Sequence, residues 1–306
     1  MKLSLFSVSY AGLWGQAALS PEEFLPKAKS LGYDAVELMG KRPHLSPLDV
    51  TPERADALAA QARQLGLDVA CVAAYTNFTA GLESAEVPFI DIQVQYVESL
   101  ARLAARLSCP LIRVFTGYDP GCLPRVSHPR EGTDFGKLWR MCVDAIRACC
   151  DCVAVRENGI TLGIQNHHDI AVHTDALLEL LADIDRPNCK AMFDAWSPAL
   201  RGEDLYASAK KAAPFTVYTT AADYVTLPRY RYQPDLVNYL PADPPLVRAV
   251  PFGEGIIDYP AFFRGLRDGG YAGPVAYEMC SPLRGGGSMD NLDSCARRFL
   301  TRMRTA

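Results

Sequence analysis

The sequence predicts a closed barrel of eight parallel strands with a helix after each, a (β/α)8 fold. Three observations predict it. Short apolar runs that end in a polar or aromatic group recur eight times, at residues 3–10, 35–38, 69–75, 111–116, 160–165, 189–194, 215–220 and 275–278. Segments with apolar residues at helical spacing separate most of these runs. No linker or low-complexity stretch interrupts the chain, so residues 1–306 read as a single domain of the size such a barrel uses.

Strand one leads to Tyr10 and Trp14, and Ser20-Pro21-Glu22-Glu23 then supplies an N-cap, a first-turn proline and a glutamate three residues on. The helix that starts there runs to Gly32, and Thr51-Pro52-Glu53 opens the second helix by the same device. Strand two, at 35–38, holds Glu37, and strand four, at 110–115, holds Arg113. An arginine in a buried strand requires a carboxylate or carbonyl partner. Pairing with Glu37 and contact with a substrate are both open to it, and Glu37 has the same two readings.

Helical spacing covers residues 89–107, 134–157, 202–213 and 258–269, with a helix starting at His173-Thr174-Asp175 and a last one from about Asp290 to Arg302. A Gly/Pro-rich loop over 118–133 holds His128. Residues 221–251 are dense in Tyr, Arg and Pro and break the βα pattern. So long a loop inside a compact domain is expected to be functional, as a lid over the barrel mouth or as an interface, and a homo-oligomer is compatible with it.

An apolar content of 49% is ample for a large core, and a net charge of −4 gives no bulk attraction to nucleic acid or an anionic membrane. Small neutral or modestly charged ligands fit this balance. The ten cysteines are too sparse for a disulfide scaffold, and several lie in apolar runs (Cys71, Cys109, Cys280), which favours a reducing cytoplasm. Cys149 and Cys152 have C-x-x-C spacing, but no second pair completes a four-cysteine site, and a structural role is expected. At the N-terminus Ser4, Ser7 and Ser9 alternate with apolar residues, as in a first strand rather than a signal peptide. Nothing approaches the ~18 consecutive apolar residues of a membrane span.

The strongest chemical signal is the fifth run, where Ile160, Leu162 and Ile164 give way to Gln165-Asn166-His167-His168-Asp169. Functional groups in this fold gather at the C-terminal edge of the strands. The residues that end the late strands, Gln165, Asp194, Thr220 and Glu278, therefore converge on one mouth. Two carboxylates and neutral oxygens meeting there suit a hard divalent cation.

At this point the chain resembles the xylose isomerase-like (β/α)8 superfamily, the sugar isomerases and epimerases often labelled sugar phosphate isomerase/epimerase. The resemblance covers nearly the whole chain. It rests on Gly-Tyr-Asp-Ala-Val-Glu at 32–37, Gln165-Asn166-His167, Asp194, Arg248 with Pro251-Phe252-Gly253-Glu254-Gly255, and Gly270-Tyr271-Ala272-Gly273-Pro274 followed by Glu278. It implies a metal quartet of Glu, Asp, His and Glu from strands five to eight, the two glutamates also moving protons. Here the first glutamate is Gln165, the histidine falls at Thr220, and Ser197 replaces the histidine of the family's Asp-x-x-His. Residues i and i+2 of a strand share a face, about 7 Å apart, so His167 would point with Gln165. Asp194, Glu278, the Gln165 oxygen and His167 would then make a mixed site for Mn, Co, Mg or Zn. The plainer reading is that His167 and His168 only hydrogen-bond a substrate or their neighbours.

The expected function is that of an isomerase or epimerase acting on a keto-sugar, cyclitol or related polyol. Glu278 takes a proton from the carbon next to a carbonyl, and metal or the His167/His168 pair polarises that carbonyl. β-Elimination by a lyase or dehydratase begins with the same step, and the loss of a second base at Gln165 favours one-base chemistry. A non-catalytic carbohydrate-binding or partner subunit is the alternative from another class. An endonuclease on abasic DNA would need a histidine-rich zinc cluster and a basic face, against five histidines and a charge of −4. Trp14 and Trp196 would wall a sugar ring or close the rim, and Arg248 matches a substrate-binding arginine of the epimerases. Gly285-Gly286-Gly287 could cradle a phosphate.

Overall fold

A computed structural model describes residues 1–79, 88–117, 135–168, 170–279 and 282–305. The loop expected at 118–133 with His128, and also Asp169 and Cys280, lie outside the described residues. Eight parallel strands close on themselves: β1 (Leu3–Phe6), β2 (Ala35–Met39), β3 (Asp68–Ala73), β4 (Leu111–Val114), β5 (Thr161–Gln165), β6 (Cys189–Met192), β7 (Thr216–Ala221) and, after an inserted pair, β10 (Val275–Tyr277), which returns to β1. Around them run α1 (Pro21–Leu31), α2 (Pro52–Leu65), α3 (Phe89–Arg106), α4 (Phe135–Asp151), α5 (Val153–Glu157), α6 (Thr174–Ile184), α7 (Trp196–Leu200), α8 (Leu205–Ala212), α9 (Tyr259–Asp268) and α10 (Met289–Thr305).

Local chemistry sets the helix ends where the sequence places them. Ser20 caps α1 in a full capping box with Glu23, Thr51 caps α2, and Gly32 and Gly66 end these helices in the left-handed region at φ 97° and 61°. The helix expected over 134–157 is two helices, because Cys152 takes an extended conformation and breaks the run. The eight described cysteines are free thiols, Cys149 and Cys152 among them. No described helix is long and apolar enough to cross a membrane.

Strand one is shorter than its run. After Phe6 the chain turns into a 3-10 helix (Ser7–Tyr10), and two serine hydroxyls there take up backbone N–H groups of neighbouring segments. The Ser7 hydroxyl accepts from the Met39 N–H at 2.9 Å, and that of Ser9 accepts from the Met279 N–H at 2.9 Å.

The stretch at 221–251 corrects the expectation of an irregular loop. It is an antiparallel hairpin, β8 (Asp223–Gln233) and β9 (Asn238–Val250), that leaves the barrel after β7. Its root is clasped by the buried Asp223 carboxylate, which accepts from the N–H groups of Tyr224 (3.0 Å), Gly253 (2.8 Å) and Gly255 (2.9 Å). Gly255 is required there, since a Cβ would stand 1.9 Å from the Asp223 carboxylate oxygen. Replacing Asp223 with alanine strips three backbone donors, one buried and two partly buried, of their acceptor. We expect Asp223→Ala to lower unfolding stability by about 2–4 kcal/mol. Urea denaturation measures it, and a loss within error of zero would show that the clasp is dispensable.

Candidate active site

One guanidinium organises the C-terminal mouth of the barrel. Arg113 points inward from β4 and is 2% exposed. Its Nη1 lies 3.5 Å from Glu37 Oε1 of β2 and 3.9 Å from Glu278 Oε2, just beyond β10. The rings of Phe115, Phe6 and Tyr75 surround the guanidinium carbon at 4.5, 4.9 and 5.2 Å. A buried charge survives only if it is paired, and stacking on aromatic faces adds to the pairing.

Glu37 belongs to this support rather than to the cavity wall. It is fully buried, behind Arg113, and neither carboxylate oxygen has a hydrogen bond among the described residues. Burial pushes its carboxyl up to about 8, with the charges of Glu278 and Asp194 adding to the shift and Arg113 opposing it. Glu278 is held differently. Its backbone N–H donates to the Ala221 carbonyl at 3.1 Å, which fixes the residue at the seam between β10 and β7, and its side chain keeps 14% exposure toward the cavity.

The cavity itself encloses about 400 Å3, and Arg113, Glu278, Gln165, His167, His168, Trp14, Tyr75, Phe115 and Lys41 line it. His167 and His168 pack together with ring centroids 4.6 Å apart, and His168 lies 4.4 Å from the Phe115 ring. Burial lowers His167 to about 4, with Arg113 contributing. Burial and then His167 lower His168 to about 3. Both rings are neutral near pH 7, with one N–H donor each. His168 has φ 64°, a left-handed backbone that a non-glycine residue adopts at some cost, as residues at functional sites often do.

Gln165 and Asp194 do not form the open ligand pair expected of them. The Asp194 carboxylate accepts from the Thr220 N–H (2.6 Å), the Thr220 hydroxyl (2.8 Å), the Thr219 hydroxyl (3.3 Å) and the Gln165 amide nitrogen. Asn166 holds the Asp194 backbone from both sides, donating to its carbonyl at 2.9 Å and accepting from its N–H at 2.8 Å. The Gln165 amide oxygen is left without a hydrogen-bond partner among the described residues, although it is buried.

This donor set does not fit a divalent cation. Asp194 is saturated by four donors, Thr220 stands where a third ligand would be needed, and the positive Arg113 lies beside Glu278. Among the described residues no three His, Cys, Asp or Glu side chains gather as a metal site. His167 lines the cavity with Gln165, but the β5 ladder ends at Gln165.

Of the remaining expected residues, Trp14 is at the cavity wall, 37% exposed. Trp196 instead packs on Tyr224, with ring centroids 3.9 Å apart and the planes tilted by 42°, at the root of the hairpin. Arg248 is exposed on β9, opposite Val225, and does not line the cavity. The Gly285–Gly287 turn closes on its own neighbours: the Gly286 N–H donates to the Leu283 carbonyl at 3.0 Å, and the Gly287 carbonyl accepts from Ala17 at 2.7 Å. Sequence reasoning missed Lys41, whose Nζ lies 3.8 Å above the Tyr75 ring at the cavity edge. Its signal was its position two residues past the end of β2. A larger cavity of about 610 Å3 beside α9 and α10 is lined by Arg264, Arg267 and Arg302 but has no histidine and lies away from the strand ends.

A profile of the family described as xylose isomerase-like TIM barrel matches residues 25–297, and the chain belongs to that family. Several solved structures share the fold. A D-psicose 3-epimerase from Clostridium cellulolyticum H10 is 16% identical with a TM-score of 0.72, covering 100% of this chain and 99% of its own. A 3-keto-D-glucoside 4-epimerase from E. coli is 16% identical with a TM-score of 0.72, covering 100% of both chains. A probable 3-DHS dehydratase from Bacillus anthracis is 18% identical with a TM-score of 0.71, covering 98% of this chain and 99% of its own. No curated protein matches the sequence.

The raised Glu37 makes a pH dependence with a defined sign. The folded protein holds a proton on Glu37 between the ordinary glutamate value of 4.5 and about 8, where the unfolded chain has lost it. Stability on this account falls as pH rises through that window. His44, His167 and His168, all lowered, act in the opposite direction, but only below 6.5. Between pH 6.5 and 8 we therefore expect stability to drop by about 1–2 kcal/mol, and Glu37→Gln to flatten that slope. Denaturation midpoints across this range test it, and an equal slope in both proteins would remove Glu37 as the cause.

Proposed function

We propose that the protein is an enzyme that moves a proton next to the carbonyl of a keto-sugar, cyclitol or related polyol, as an isomerase or epimerase does. The observation that carries this reading is the placement of Glu278. Its carboxylate reaches a cavity of about 400 Å3 beside a buried guanidinium at 3.9 Å, so a general base and a cation that can face a developing negative oxygen stand together. The fold shared with sugar epimerases supports the same class of substrate.

In this mechanism Glu278 takes the proton from the carbon next to the carbonyl, and the electron pair left on carbon passes to the carbonyl oxygen. Arg113 and the neutral N–H groups of His167 and His168 face the oxygen on which charge develops. Gln165 offers its amide oxygen to a substrate hydroxyl, and Trp14 and Tyr75 give the sugar an apolar wall. Return of the proton to the former carbonyl carbon, with the proton of the adjacent hydroxyl passing to the oxyanion so that a new carbonyl forms there, gives isomerisation.

A lyase reading shares the first step and ends when the oxyanion's electron pair reforms the carbonyl, a C=C bond forms and the β-hydroxyl leaves as water with the proton held on Glu278. The glutamine at position 165 favours it, because Glu278 is then the one carboxylate among the described residues that line the cavity. The similarity in fold to a probable dehydratase is compatible with this reading.

The test is solvent exchange. Wild-type protein in D2O should introduce deuterium next to the carbonyl of keto-hexoses or 3-keto-glycosides, read by NMR, whether or not product accumulates. Glu278→Gln should slow this by at least ~100-fold. No exchange across the panel would turn the reading toward a binding protein, and exchange by Glu278→Gln at the wild-type rate would remove Glu278 as the base.

A further inference from the structure

The β8–β9 arm has an aromatic face that nothing among the described residues covers. The register pairs Tyr230 with Pro241 and Tyr232 with Tyr239, so these four side chains lie on one side of the ribbon, and the Tyr232 and Tyr239 rings are 5.2 Å apart. Arg229, Arg231 and Gln233 lie on the other side with Ala242, Leu240 and Asn238. Leu236 and Val237 form the tip. Tyr230 is 61% exposed, Tyr239 64% and Val237 78%.

An isolated two-stranded ribbon is marginal in water, and a soluble monomer rarely shows so large an apolar patch. Among the described residues β8 and β9 pair with each other and with no third strand. The root, by contrast, is rigid: Asp223 clasps Gly253 and Gly255, and Tyr224 packs on Trp196. The arm is thus presented in a fixed direction.

We propose that this arm is the contact through which two copies of the chain form a two-fold dimer, each burying the aromatic face of its arm against the other. Area argues for a second copy. Tyr230, Tyr232, Leu236, Val237 and Tyr239 are between 47% and 78% exposed. Together they offer roughly 700 Å2 per chain, within the range each partner contributes to a stable interface. A two-fold axis uses the same patch twice and closes, leaving no arm unpaired.

Sedimentation velocity at micromolar concentration should show a dimer. The triple variant Tyr230→Asp, Val237→Asp, Tyr239→Asp should weaken dimerisation at least ~100-fold, with the barrel's circular dichroism unchanged, because no barrel contact is removed. Hydrogen exchange on the wild type is an independent readout: amides of residues 229–242 should gain protection as concentration rises through the dimer transition. A wild type that sediments as a monomer, or a triple variant as dimeric as the wild type, overturns the proposal. So does arm exchange that ignores concentration, including the case in which the arm serves a different protein.

Discussion

The mouth of this barrel depends on one buried positive charge. The guanidinium stays charged even when buried, so holding Arg113 between β4 and the aromatic rings requires a carboxylate near it, and two are supplied from opposite sides of β1, Glu37 and Glu278. The pairing is unequal. Glu37 is the nearer of the two and is fully buried, and burial pushes its carboxyl up to about 8 while Arg113 opposes the shift. Glu278 is the carboxylate that also reaches the cavity. Closure of the barrel is what brings the two glutamates to the same guanidinium, since β2 and β10 both flank β1.

The same charge shapes the rest of the site. Alongside burial it lowers His167 and His168, keeping both rings neutral. A fixed guanidinium next to Glu278 also disfavours a divalent cation at that carboxylate, while Asp194 is turned into a structural acceptor by Thr219, Thr220 and Gln165. The residues at 165 and 220 are therefore connected. An amide donor and a hydroxyl donor stand where a cation's other ligands would join Asp194, and together they satisfy its carboxylate without one. In the proposed reaction the cation that steadies the developing negative oxygen is a side chain of the protein.

Much of the fold was legible because it is written in local chemistry. The caps at Ser20 and Thr51 and the continuous apolar runs are decided within a few residues, and the eight strands lie within or beside the runs that predicted them. The hairpin was not legible, since Pro228, Pro241, Pro244 and Pro245 interrupt the alternation that marks a strand, and the clasp at Asp223 that fixes it is a tertiary contact. In the site, strand ends pointed to Gln165, Asp194, Thr220 and Glu278 as residues of one mouth, and Arg113 stood out as a buried charge in need of a partner. What they do there depends on register. The irregularity between Ala191 and Met192 resets the pairing with β7, and beyond it Thr219 and Thr220 meet Asp194, which no sequence spacing reveals.

The claim that Arg113 and Glu278 together form the reacting centre is tested most directly by a crystal structure with a planar hydroxamate analogue of a sugar acid, which mimics the enediolate, grown with Mn2+ present. The account predicts that the analogue's oxygens lie within hydrogen-bond distance of the Arg113 guanidinium and the His167 or His168 ring, with its reacting carbon facing Glu278. An analogue bound elsewhere in the barrel, or a manganese ion bridging Asp194 and Glu278 with Gln165 turned to present its oxygen, would contradict it.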